Sequence, residues 1–222
     1  MKLIVGNKNY SSWSLRPWLA LAETGEPFEE EVIPLDMPET TASIQRYSGA
    51  GKVPVLVDGA VTVWETLAIL EYLAEKFPAA QLWPADPAAR AMARAICSEM
   101  HAGFTALRNA APMNLWRPLE ALPVSDVVKA DLKRIDTIWG EARAKYGQGG
   151  PFLFGRFSNA DAMFAPVATR IRTYGLPVAP ESAAYVETIH AMPTFQRWRE
   201  AALKETWLIA NDEVDWPEVK RI

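Results

Sequence analysis

The chain has 222 residues, half of them hydrophobic and 23% charged, a composition of folded soluble proteins rather than disordered or fibrous ones. One cysteine (Cys97) and two well-separated histidines (His101, His190) exclude a disulfide framework and leave no metal-ligand spacing. The net charge of −4 argues against nucleic acid, no apolar run nears the roughly 20 residues of a membrane span, and the first residues lack a signal-peptide pattern, so the expected compartment is the cytoplasm.

Charge is uneven: residues 1–80 carry −5 and residues 81–222 carry +1, which suggests two regions of different character. Lys2–Gly6 is a short apolar run that reads as a buried strand, followed by a polar turn from Asn7 to Ser12. Leu15, Trp18, Leu19 and Ala22 then recur at helical spacing, with Pro17 expected in the first helical turn and Gly25 where the helix stops. Phe28–Leu35 has a strand-like centre at Val32-Ile33, so the opening segment reads as strand–helix–strand. A weak helix is expected over Thr41–Tyr47. Val53–Asp58 and Val61–Trp64 read as an antiparallel hairpin across Asp58-Gly59, and Glu65–Phe77 as a helix.

Pro78–Pro87 reads as a linker, and beyond it strand signals nearly vanish. Asp86-Pro87 has the form of a helix cap with proline at the first position, opening a helix expected to run to about Ala111. A helix over Ser125–Tyr146 presents Val128, Leu132, Ile135, Trp139, Ala142 and Tyr146 as one apolar stripe. Ser158–Tyr174, Glu181–Ala191 and Thr194–Glu205 follow as helices, with a tail that keeps Trp216. The reading is an α+β domain over residues 1–80 and an all-helical domain over residues 86–222.

Four segments have chemical potential. In Tyr10–Trp18 hydroxyls sit at a strand-to-helix turn, where backbone N–H groups and the helix dipole favour an anion; alone, the segment reads first as a cap by Ser12 or Ser14. In Lys52-Val-Pro-Val-Leu56, a cis Val53–Pro54 bond would leave the Val53 backbone free to pair with a peptide-like ligand. In Trp64–Ile69, Glu65 and Thr66 stand where a strand gives way to a helix, suited to an amine and a carboxylate, or simply to a dipole-favoured start. Ser158-Asn-Ala-Asp161 reads as a structural capping box.

In this order and spacing, the serine-rich turn, Val53-Pro54, Asp58-Gly59, Glu65-Thr66-x-Ala-Ile69, the proline-rich linker and the late capping box resemble a cytosolic glutathione S-transferase, over nearly the whole chain. The resemblance implies a thioredoxin-like N-terminal domain, an all-α C-terminal domain, a homodimer, glutathione as co-substrate and no permanent cofactor or metal. It places Lys52, Val53, Pro54, Glu65 and Thr66 on glutathione. The Ser-Ser-x-Ser-x-Arg pattern is similar to the zeta class, which puts Ser11 at the thiol with Ser12 beside it; Tyr10 and Ser14 stay open as alternatives. Where zeta enzymes often carry Cys, this chain has Trp13. Tyr10, Trp13, Met100, Phe104, Arg108 and Trp116 are the positions implied for a hydrophobic electrophile, with Met100, Phe104 and Trp116 reading first as core. The implied activity is transfer to that electrophile in detoxification; alternatives are a maleylacetoacetate-type cis–trans isomerase and a non-catalytic glutathione-binding stress protein. Cys97 reads as a small core residue.

Overall fold

Period-two alternation in the first strands decides which side each helix occupies. The computed structural model describes residues 1–222. It places β1 (Lys2–Val5), α1 (Ser12–Glu23), β2 (Glu29–Val32), α2 (Thr40–Gln45), β3 (Val55–Asp58), β4 (Val61–Trp64) and α3 (Thr66–Lys76) in that order. The sheet runs β2-β1-β3-β4, with β1 parallel to β2 and antiparallel to β3, and β3 antiparallel to β4. Leu3, Val5 and Leu56 point into the main core against α1 and α3. Ile4 and Val55, on the opposite face, pack with Ile33 and with Ile44 of α2.

The strand expected around Val32-Ile33 is β2, which begins earlier and ends at Val32, with Lys2 Nζ 2.5 Å from Glu31 on its edge. α1 starts at Ser12, so Pro17 lies inside the helix and not in its first turn. A proline there cannot donate to the carbonyl four residues back, that of Trp13. The Thr66 hydroxyl supplies the missing donor at 3.1 Å, which lets the interior proline stand.

The all-helical part comprises α4 (Pro87–Ala102), α5 (Thr105–Ala110), α6 (Asp126–Tyr146), α7 (Asn159–Thr173), α8 (Pro180–Ala191) and α9 (Pro193–Ala202). The single helix expected from Asp86 to Ala111 is therefore two. Gly103 ends α4 and Phe104 turns the chain in the left-handed region (φ 56°) before α5 starts. The apolar stripe of α6 is buried from Val128 to Ala142, and Ser125 caps it. Nearly every residue of α7 is buried, because α1, α4 and α8 all pack on it. Its capping box forms as read: Asp161 accepts from the Ser158 N–H (2.8 Å), the Ser158 hydroxyl (2.9 Å), the Leu153 N–H (3.1 Å) and the Tyr185 hydroxyl (3.0 Å). Cys97 is fully buried in the same core, where desolvation pushes its thiol well up. The tail beyond α9 folds back through Ile209 and Glu213, while Trp216 stays 53% exposed. No helix is long and apolar enough to cross a membrane.

Candidate active site

The turn between β1 and α1 is gripped from elsewhere in the chain. The N–H groups of Lys8 and Asn9 both donate to the Glu205 carboxylate, at 2.7 and 3.0 Å. Asn9 Oδ1 accepts from the N–H groups of Leu115 and Trp116, and the Lys8 carbonyl accepts from the Trp198 indole. The Tyr10 hydroxyl donates to Glu213 Oε1 at 2.5 Å, and Asn114 Nδ2 donates to the same oxygen at 3.0 Å. Burial and this carboxylate push the Tyr10 phenol far above its ordinary range. Tyr10 is thus committed to the fold and supplies no free hydroxyl, although its ring borders the cavity below.

The three serines separate cleanly. Ser11, not Ser12 or Ser14, is the N-cap of α1, accepting from the Ser14 N–H, and its hydroxyl donates to Ser14 Oγ at 2.8 Å. Ser14 is fully buried and also accepts from the Gly6 N–H, so it reaches no cavity. Ser12 occupies the first helical position. Its Oγ accepts from Arg170 Nη2 at 3.5 Å, which leaves its own hydroxyl proton unspent. Ser11 and Ser12 both line a cavity of about 430 Å³, bounded also by Trp13, Arg108, Arg170 and Asp212.

A second cavity of about 260 Å³ adjoins it and contains the other predicted group: Lys52, Val53, Pro54, Glu65 and Thr66. The Val53–Pro54 peptide is cis, and Val53 lies outside the ladder, which begins at Val55. Glu65 has φ 68° and ψ 128°, a conformation that costs a non-glycine residue about 1–3 kcal/mol and that clusters at ligand sites. Its side chain stands out into solvent ahead of α3. The Thr66 hydroxyl is spent on the Trp13 carbonyl, so what Thr66 offers a ligand is its N–H and a hydroxyl oxygen. Trp13, Lys52 and Val53 border both cavities and join them into one site.

Arg108, expected at the electrophile, borders the larger cavity, and two features around it are not announced by the sequence. The first is a cluster of guanidinium groups. Arg16 is fully buried, donating to the Met163 and Ser12 carbonyls (both 2.9 Å) and stacking on Trp13 at 4.3 Å. Arg108 lies over the same indole at 4.9 Å, and Arg170 donates to the Ala111 carbonyl at 2.8 Å. Their partners are carbonyls and one hydroxyl, with no carboxylate among them. Burial, reinforced by the neighbouring cations, holds Arg16 well below its usual range and Arg170 at about 10. The second is His101, whose ring packs on Trp13 at 5.0 Å with Nε2 4.0 Å from Glu65 Oε2. No local motif announces either, since the partners come from α1, α4, α5 and α7.

Three predicted electrophile positions are not on the site. Met100, Phe104 and Trp116 are buried and border neither cavity; Met100 and Phe104 belong to the main core, and Trp116 packs edge-on against Tyr10 at 5.4 Å. The helix spacing that suggested them is set by packing, and the break at Gly103 turns α5 away from the line of α4.

Comparison with known proteins agrees with this geometry. A sequence model described as "Glutathione S-transferase, N-terminal domain" matches residues 10–76. A probable maleylacetoacetate isomerase of Caenorhabditis elegans is 28% identical over 191 residues, 83% of this chain and 87% of that protein. A glutathione transferase homologue from Burkholderia gl BGR1, solved with bound glutathione, superposes with a TM-score of 0.69 at 25% identity, covering 90% of this chain and 97% of that one. A sphingomonad glutathione S-transferase complexed with glutathione gives 0.65 at 26% identity, covering 92% and 100%. The architecture is the thioredoxin-like sheet followed by the all-α bundle of these structures.

Proposed function

Because the chain belongs to the glutathione S-transferase family, we propose that it activates the glutathione thiol and directs it at an electrophile bearing an acid group. The observation that carries this reading is Ser12: it stands on the first turn of α1, faces the larger cavity, and has the Arg170 guanidinium behind it, which hydrogen-bonds to no carboxylate. Glutathione would lie in the smaller cavity, its γ-glutamyl end at Glu65 and Thr66 and its cysteinyl unit at the Val53 backbone, with Lys52 near a carboxylate. The division of labour follows the sheet and the bundle: residues 1–80 hold the thiol, and residues 86–222 shape what it meets. The working form is a homodimer with one site per subunit, in the cytoplasm, in detoxification.

A free thiol has a pKa of about 8.5. Lowering it by ~2 units takes about 2.7 kcal/mol of preference for the anion. One hydroxyl donor to a charged acceptor supplies about 1.5–3 kcal/mol. The start of α1 adds up to ~1 kcal/mol. No general base is needed. The thiolate sulfur then attacks the electrophilic carbon while Arg170 and Arg108 face the substrate's acid group. This amends the purely hydrophobic electrophile expected from sequence, because Lys52, Arg108 and Arg170 border that cavity.

A second reading is favoured by the same arginines. A cis–trans isomerase of unsaturated keto acids also needs a thiolate beside cations, adding the sulfur and expelling it after bond rotation. Retention on glutathione-agarose tests the shared premise: no retention sinks both readings and favours a non-catalytic role. Turnover of a chlorodinitrobenzene with release of chloride supports the transferase. Isomerisation of maleylacetone with no net consumption of glutathione supports the isomerase instead.

A further inference from the structure

The larger cavity is bordered by two acidic groups that the mechanism above does not use, the exposed Asp36 on the loop after β2 and the half-buried Asp212. Asp212 lies on the tail, in a single 3₁₀ turn over Ala210–Asp212, and borders the same cavity as Ser12, Arg108 and Arg170. Its neighbour Glu213 is clamped by Tyr10 and Asn114, and its own N–H donates to the Ile209 carbonyl at 3.0 Å, so its backbone is fixed over the cavity. The neighbouring carboxylates on the tail are spent on partners: Glu205 on two N–H groups, Glu213 on Tyr10 and Asn114, Asp215 on Arg117. The half-buried Asp212 carboxyl has no hydrogen-bond partner; besides its burial, three charges act on it: Arg170 from α7, Glu213 beside it, and Asp36 from the loop after β2. Arg108 of α5 and Lys52 share the cavity.

We propose that Asp212 is a catalytic proton donor, delivering a proton to the second substrate when the thiolate adds to an activated alkene. This rests on the transferase reading. The sulfur forms a bond to the β-carbon, the carbon–carbon π pair moves to the carbonyl as an enolate, and the Asp212 carboxyl gives its proton to the α-carbon. Arg170 and Arg108 face the enolate and the substrate's acid group, and the Asp212 carboxylate regains a proton from water. Burial supports this role by pushing the Asp212 carboxyl up to about 6, so a usable fraction is protonated near neutral pH. Substitution on an aromatic chloride needs no such proton, because chloride leaves with the electron pair.

The experiment compares two probes, 1-chloro-2,4-dinitrobenzene and trans-benzoylacrylate, with the wild-type protein and D212N. Positioned acids contribute about 10²–10⁴-fold. D212N is therefore expected to reduce kcat for addition at least tenfold more than kcat for substitution. KM for benzoylacrylate should fall, because a carboxylate no longer repels the acid. In the wild type, the ratio of addition to substitution should decline as pH rises above about 6, since substitution tracks the thiolate alone; in D212N that decline should vanish. Equal losses in both reactions, or a lower KM with kcat for addition retained, overturns the proposal in favour of a structural or purely electrostatic role. A wild type that substitutes but does not add overturns it as well. A wild type inactive on both probes, with glutathione retained on a column, refutes the transferase reading and the proton donor with it. Glutathione affinity by calorimetry confirms that D212N is folded.

Discussion

Replacing Ser12 by Ala removes the one hydroxyl on the cavity whose proton is unspent, while Ser11→Ala removes a cap. A hydroxyl donor to an anion contributes about 1.5–3 kcal/mol. At 1.36 kcal/mol per unit, S12A is expected to raise the thiol pKa of bound glutathione by about 1–2 units. The start of α1 and Arg170 remain in the variant, so the pKa stays below that of free glutathione. Conjugation of a chlorodinitrobenzene at pH 7 should fall roughly tenfold, the loss in thiolate fraction. S11A takes away a hydroxyl that already donates to Ser14 Oγ at 2.8 Å. It is expected to cost about 0.5–2 kcal/mol of stability and to shift the thiol by less than half a unit. The assay is ultraviolet titration of the thiolate in the binary complex, with urea unfolding beside it. An unchanged pKa in S12A, or an equal shift in S11A, refutes the assignment of the donor.

Four other outcomes follow from the same geometry. Asp161→Ala strands the buried N–H groups of Ser158 and Leu153, at about 1–3 kcal/mol each, so urea unfolding should show a loss of about 2–6 kcal/mol; a loss under 1 kcal/mol contradicts it. Burial raises the Asp161 carboxyl from 3.8 to about 6, so the folded state holds a proton that the unfolded chain releases, and this contribution fades as pH rises through that window. The stability of the wild type relative to D161N should therefore fall between about pH 4 and 6, and a rise would reverse the sign of the argument. Arg170→Met should raise KM for an acidic electrophile at least tenfold more than for a neutral one, about 1.4 kcal/mol, measured by initial rates. Thr66→Val leaves the Trp13 carbonyl beneath Pro17 without its donor and should cost about 1–3 kcal/mol in urea unfolding.

What could be read from sequence was local. The β-α-β opening, the Asp58-Gly59 hairpin, the α6 stripe and the Ser158–Asp161 box each rest on neighbours in the chain, and each stands in the structure. Pro17 was misjudged because its tolerance depends on Thr66, 53 positions from Trp13. The break at Gly103 was hidden by an alanine-rich run on both sides, although a Cβ at Gly103 would meet the Glu99 carbonyl at 2.8 Å. Arg108 was expected at the electrophile, but its grouping with Arg16 and Arg170 was not legible, for a different reason. Arg16, Arg108 and Arg170 are ordinary arginines in sequence, and only the packing of α1, α5 and α7 removes their water and their counterions. The same holds for Phe104 and Trp116, where helical spacing could not tell a cavity wall from core.

The grip on the β1–α1 turn has a consequence for the order of events during synthesis. The turn is complete as sequence within the first dozen residues, yet its hydrogen-bond partners include Glu205 and Glu213, 197 and 203 positions away for Lys8 and Tyr10. At about 5–20 residues per second, a ribosome needs roughly 10–40 s to travel between them. During that interval the serine turn lacks these partners. The serine turn thus acquires these holders only after Glu205 and Glu213 have been synthesised.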